Sequence, residues 1–451
     1  MSIRRSISCL GLIALACGLT LGCADDSFVA GPVGDGNNPW VDGGNTPIDI
    51  GGGVQRPVCP GQESTITGTV LAPNGVDPVP GATVFVPSKV PEMFAPEVKC
   101  EACGSLGTGY NFWTTTSQSN GTFTLSGVCP GPRSLVLQNG RFRRFLQINV
   151  PAKGTLALTA SQSRLPKRNK EFVPLDSIPR IAVVTGDYDK MECVLRKMGV
   201  ETFDLFEGAK SLVSPNKLRP FSDLFKTLPA MKSYNIIFIN CTDNTFEAQL
   251  KDKTIRDNIL AYVRAGGRLY ITDWSYDWIE QVSDLAKFID FEPGPSGDAP
   301  EPQDAAAIGE GGLKVQATIS DSKLAEWLEN FPGIVQTSGG KKTAKIEHFL
   351  NQWVMINKLG KDVKLWVEGP VSSGPLSSVS IKNQMRPLTL TFNFKACGKI
   401  LFSSYHTEGR DDESPLFPLA FPKYCGTSSS PQDRILEYLI FDIANCVKPI
   451  G

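Results

Sequence analysis

The sequence predicts a multidomain chain: an N-terminal all-β sandwich, then a C-terminal α/β domain with a doubly wound, largely parallel sheet. Three observations carry this prediction. Short alternating strands broken by Asn-Gly turns run from about Ser64 to Ala160. Beyond Ile178, solid apolar strands alternate with helical patterns, as they do in sheets covered on both faces. At 451 residues the chain is also too long for one ordinary domain. The expected parts are a leader (1–23), a Gly/Asn-rich tether (24–58), the sandwich (59–165), a linker (166–177) and the α/β domain (178–451).

In the sandwich region the expected strands are Thr65–Val70, Ala82–Val86, Thr122–Leu125, Ser134–Leu137 and Phe145–Ile148. Asn74-Gly75, Asn120-Gly121 and Asn139-Gly140 sit at or near the breaks, where positive φ is tolerated. Gly68-Thr-Val70, Pro80-Gly-Ala-Thr-Val-Phe-Val86, Ser119-Asn-Gly-Thr-Phe-Thr-Leu125 and Pro130-Gly131 resemble the carboxypeptidase regulatory-like domain. That resemblance implies a prealbumin-like sandwich related to carbohydrate-binding modules, with a structural or binding role. A long insertion between Pro87 and Trp113 departs from the family pattern.

In the α/β region, Ile181–Val184, Asn235–Ile239, Arg268–Thr272 and Lys399–Ser403 read as strands. Helices are expected over Asp189–Met198 and Thr254–Ala265, the second closed by Gly266-Gly267. Ser430 and Pro431 signal the start of a last helix, with Ile435, Leu436, Leu439, Ile440 and Ile443 as its inner face. Two loop-rich insertions, Glu292–Gly312 and Gly369–Ser378, lie between.

Ligands of open α/β sheets sit beyond the carboxyl ends of the strands. The residues that follow the four strands are Asp187 and Asp189, Cys241 and Asp243, Asp273 to Asp277, and His406 with Glu408. Only two histidines exist, and His348 reads as a surface or packing residue, so any imidazole chemistry falls to His406. The segment Gly398 to Glu408 resembles the strand and His-x-Glu element of class I glutamine amidotransferase-like domains. Gly266 to Ser275 resembles the strand and turn that hold their nucleophile. The resemblance implies a flavodoxin-like sheet. It also implies a catalytic set of Ser275 or Cys241 as nucleophile, His406 as base and Glu408 as orienter, with Asp273 beside them. The small-residue elbow around a Cys is missing, however: Asp273-Trp274-Ser275 stands there. The leading expectation is therefore a non-catalytic domain that keeps its cleft for binding, with Asp187, Asp243 and Trp274 lining it; hydrolase or amidase activity is the alternative.

Other readings carry less. The acids Asp187, Asp189, Asp243, Asp273 and Glu408 are of the type that holds calcium, but no recognised calcium loop is present and strand-end Asp residues often serve as caps. Cys100-Glu-Ala-Cys103 with Cys59 and Cys129 would make a four-thiolate zinc set, set against disulfides as the default. Gly309-Glu-Gly-Gly312 is followed by no Gly-Lys-Ser/Thr, so it is no phosphate loop. No metal and no cofactor is expected.

Composition bounds the partners. With 45 basic and 46 acidic side chains the chain carries no electrostatic footprint for nucleic acid. The cluster Arg164 to Lys170 reads as a solvated linker. Arg4 and Arg5 precede an apolar run from Ile7 to Leu21, a secretory leader too short to span a membrane comfortably. Leu19-Thr-Leu-Gly-Cys23 resembles the lipobox of bacterial lipoproteins, which implies acylation of Cys23. The expected site of action is then the cell envelope, at the outer membrane of a Gram-negative bacterium, with the bilayer as one partner and a polysaccharide or envelope protein as another. Nine cysteines remain outside the leader and Cys23. In an oxidising compartment disulfides are their default state. Trp113, Trp274 and Trp278 are the candidates for an aromatic glycan platform.

Overall fold

The computed structural model describes residues 48–49, 53–100, 111–208, 218–242, 247–294, 302–347, 349–407, 421–426 and 428–445. The expected leader, Cys23, Cys103, Asp243, His348, Glu408 and Cys446 lie outside them. At the end of the expected tether, β1 (Ile48–Asp49) and β2 (Gln55–Arg56) pair as a small antiparallel ribbon. Asn45–Gly451 forms one compact unit.

The first layered region holds β3 (Ser64–Thr69), β4 (Thr83–Pro87), β5 (Asn111–Thr116), β6 (Thr122–Val128), β7 (Gly131–Asn139), β8 (Phe142–Val150) and β9 (Gly154–Ala157). They make two sheets, β6-β3-β9 and β5-β4-β7-β8. Apolar residues alternate inward, as Phe123 and Leu125 do on β6 while Thr124 and Ser126 are exposed. Ile66, Val84, Val86, Leu135, Leu137, Leu146 and Ile148 join them in one core. Gly121 needs its positive φ of 74°, and a Cβ there would meet the Val70 carbonyl at 2.6 Å.

Two elements were not read from sequence: β5, which borders the insertion, and β9, which is short and mostly exposed. The linker also differs from expectation. Val173 and Leu175 cover Phe85, Val136 and Phe145 on the outer face of the second sheet. Asp176 accepts from Arg144 Nη1 at 2.8 Å and from the Phe145 amide at 2.9 Å. The apolar pair between the charges makes 166–177 a cover strip rather than a solvated linker.

The second region contains β10 (Ile181–Val184), β11 (Asp204–Phe206), β12 (Ile236–Ile239), β13 (Arg268–Thr272), β14 (Ile289–Phe291), β15 (Val315–Ile319), β16 (Val335–Ser338), β17 (Lys341–Ile346), β18 (Ile356–Leu359), β19 (Val363–Val371), β20 (Gln384–Phe394) and β21 (Gly398–Ser403). Ten of these form one sheet in the order β11-β10-β12-β13-β21-β20-β19-β15-β17-β16. The half from β11 to β21 is parallel. From β20 onward every pairing is antiparallel. The expectation of a largely parallel sheet is thus corrected for half of it. The parallel strands are buried on both faces and read as unbroken apolar runs; β15 alternates buried and exposed residues, a pattern easily taken for loop. Gly369–Val371, expected in an insertion, closes β19.

The parallel half separates two cores. Ile181, Val183, Ile236 and Phe238 face the helix Pro431–Ala444, and Ala182, Val184, Ile237 and Ile239 face the helix Lys253–Arg264. The last helix begins as expected, with Ser430 Oγ accepting from the Asp433 amide at 3.1 Å while Asp433 Oδ2 accepts from the Ser430 amide at 2.9 Å. It also packs against the sandwich, where a Cβ on Gly140 would lie 2.0 Å from the Ala444 carbonyl. Disulfides join Cys59 to Cys129, Cys100 to Cys397 and Cys193 to Cys425. These pairings remove the four-thiolate zinc alternative. Cys100–Cys397 ties the sandwich insertion to the turn before β21.

Candidate functional site

The carboxyl ends of β10, β12, β13 and β21 bring Asp189, Cys241, Asp273 and His406 together, each at most 1% exposed. Asp273 directly follows β13 with φ at 42°, a left-handed conformation that a non-glycine residue adopts at a cost. The turn is sharp at this residue, and its apex is a carboxylate. Asp273 Oδ1 accepts from the Val354 amide at 2.7 Å, and Oδ2 lies 3.1 Å from His406 Nε2 and 3.9 Å from Cys241 Sγ. Burial pushes the Asp273 carboxyl up, and the facing imidazole only partly offsets this. Burial works against the His406 imidazolium, but the Asp273 and Asp189 carboxylates overcome it and hold the ring above its ordinary value.

Around this centre the polar groups are committed. Asp189 Oδ1 accepts from the Lys190 amide at 2.8 Å, the Thr407 amide at 3.1 Å and Thr407 Oγ1 at 2.7 Å. The Cys241 amide donates to Thr272 Oγ1 at 2.9 Å. Glu192 accepts from Asn240 Nδ2 at 2.9 Å and Tyr424 hydroxyl at 2.6 Å; burial raises it to about 7 against these bonds. Asn240 and Glu192 are part of the site that sequence reading missed, because a helix-borne Glu gives no sign that it faces inward.

Of the residues expected to act, Ser275 is buried and donates to the Asn240 carbonyl at 2.9 Å. Asp273, rather than Ser275, stands at the imidazole. Asp187 accepts from Thr242 Oγ1 at 2.7 Å, toward the rim. Trp274 is half-buried, and its indole N–H donates to the Gln352 carbonyl. Glu408 and Asp243 fall outside the described residues. Trp278 and Trp113 are core residues, so neither belongs to an exposed aromatic platform.

The segment carrying Phe349, Trp353 and Val354 packs on this edge. Phe349 packs edge-on against Tyr405 at 6.1 Å, and all three side chains are buried. The arrangement can share a proton between Asp273 and His406, and it offers sulfur, oxygen and nitrogen donors to one point.

No family model matches the chain, and no curated protein matches it. Among solved structures, a cytoplasmic protein from Salmonella typhimurium aligns with 60% of this chain and 100% of its own at 14% identity and a TM-score of 0.29. A putative ThuA-like protein from Parabacteroides merdae aligns with 60% of this chain and 92% of its own, at 11% identity and a TM-score of 0.33. A glutamine amidotransferase from Thermotoga maritima aligns with 59% and 98% at 10% identity and a TM-score of 0.31. At these scores the likeness carries no argument about activity.

Proposed function

We propose that this chain is an exported, lipid-anchored envelope protein whose α/β body is amidotransferase-like in descent and non-catalytic in use. It holds or binds an envelope component, of which a glycan is the class suggested by the sandwich resemblance. The observation that carries the non-catalytic reading is Asp273 at the apex of the turn after β13, buried and tied to the Val354 amide and His406. A nucleophile needs to be exposed where a substrate carbon can approach it. The anchor reading rests on Arg4, Arg5, the apolar run and Cys23. The three disulfides among the described residues support an oxidising compartment.

Hydrolysis remains the second reading, favoured by one observation: the Cys241 thiol lies near His406 and Asp273. A screen of ester, amide and glutamine substrates with wild type and His406→Ala separates the two. Equal, background-level turnover is expected; turnover by wild type that His406→Ala abolishes would overturn the non-catalytic reading.

A further inference from the structure

We propose that Cys241, Asp273 and His406 form a buried site for one divalent cation of the zinc class. The Cys241 Sγ, an Asp273 carboxylate oxygen and an imidazole nitrogen of His406 all lie within 4.8 Å of one another. Zinc bonds of about 2.0 Å to nitrogen or oxygen and about 2.3 Å to sulfur, at tetrahedral angles, put ligand atoms roughly 3.3–3.5 Å apart. The two measured edges, 3.1 Å from Asp273 to His406 and 3.9 Å from Asp273 to Cys241, bracket that spacing. One thiolate, one imidazole and one carboxylate is a mixed donor set that suits zinc better than calcium or magnesium, which want oxygen throughout.

A further observation points to a ligand. Asp189 Oδ2, beside the same cluster, is buried without a hydrogen-bond partner. Native proteins rarely leave such atoms unsatisfied. Cys241 is also the one thiol among the described cysteines, the other six being disulfide-bonded.

The ligands stand on the ends of three neighbouring strands, β12, β13 and β21, which fixes their spacing. Asp273 is further oriented by the Val354 amide, an outer contact of the kind that positions metal ligands. The cation would pin these strand ends together beneath the Phe349–Val354 cover. This proposal is independent of the reading of the chain as lipid-anchored and non-catalytic.

The test uses the full chain without its leader, freed of metal by chelation and dialysis, then titrated with zinc chloride or cobalt chloride. One equivalent is expected to bind. Cobalt is expected to give a thiolate-to-metal absorption in the near ultraviolet that folded Cys241→Ser lacks. No stoichiometric binding by wild type, or the same absorption in Cys241→Ser, overturns the proposal. If Cys241→Ser does not fold, zinc-edge X-ray absorption of wild type decides. A sulfur neighbour at about 2.3 Å with nitrogen and oxygen at about 2.0 Å supports the site, and a shell without sulfur overturns it.

Discussion

Glu192 faces inward from the helix Met191–Lys197, and its folded value of about 7 lies above its ordinary 4.5 because burial disfavours the charge. A raised carboxyl favours the folded state protonated. Its penalty is absent below pH 4.5, grows as pH rises, and is complete above about pH 7. Glu192→Gln removes that penalty and keeps the Tyr424 bond. Asn240 can turn its amide, because its Oδ1 has no hydrogen-bond partner and can accept from the new Gln. The melting temperature of Glu192→Gln is expected to equal wild type near pH 4.5 and to exceed it by a few degrees at pH 8. A difference that shrinks as pH rises would contradict this assignment. At this scale Asp189, Cys241, Asp273 and His406 were legible because each stands shortly past an apolar run. Their partners were not: the Val354 amide and the Asn240 side chain become neighbours only through pairing far along the chain. Ser275 was misread for the same reason, since nothing local shows that its hydroxyl serves the Asn240 carbonyl.

Elements with strong local signals formed where expected. Ile181–Val184 and Arg268–Thr272 match their observed spans, and the capped helix Pro431–Ala444 starts at its predicted residue. The antiparallel strands from β15 to β20 were missed because alternation on a half-covered face resembles loop composition. The Gly339-Gly340 turn between β16 and β17, with both φ values positive at 56° and 78°, was the available sign of a hairpin. The cap itself carries a prediction. Ser430→Ala removes the side-chain acceptor and is expected to cost about 1 kcal/mol of stability in chemical denaturation. No change in midpoint would mean that the helix start is held by its packing against the sheet and the sandwich.

Across the whole molecule, the sandwich and the α/β layer are joined by shared packing and a covalent bridge. Trp327 Nε1 donates to the Pro78 carbonyl at 2.7 Å, Arg434 pairs with Asp77 at 2.6 Å, and Cys100–Cys397 crosses between the two regions. Sequence reading separated the two by their different periodicities, but nothing in either period announces their interface. The proposed anchor acts at this scale too, because it would place the entire oxidised body on a bilayer. Radiolabelled palmitate is expected to enter wild type expressed in a Gram-negative host and to be lost in Cys23→Ser; label retained in the variant would contradict the anchor. The non-catalytic reading proposed for the chain requires that the sheet edge bearing Asp273, His406 and Cys241 be closed to substrates. Alkylation of Cys241 by iodoacetamide, read by mass spectrometry on native and denatured chelator-treated protein, tests it most directly. Cys241 is expected to stay unmodified until the chain is unfolded. Rapid alkylation of the native protein would mean an open thiol beside His406 and would overturn the closed, non-catalytic edge.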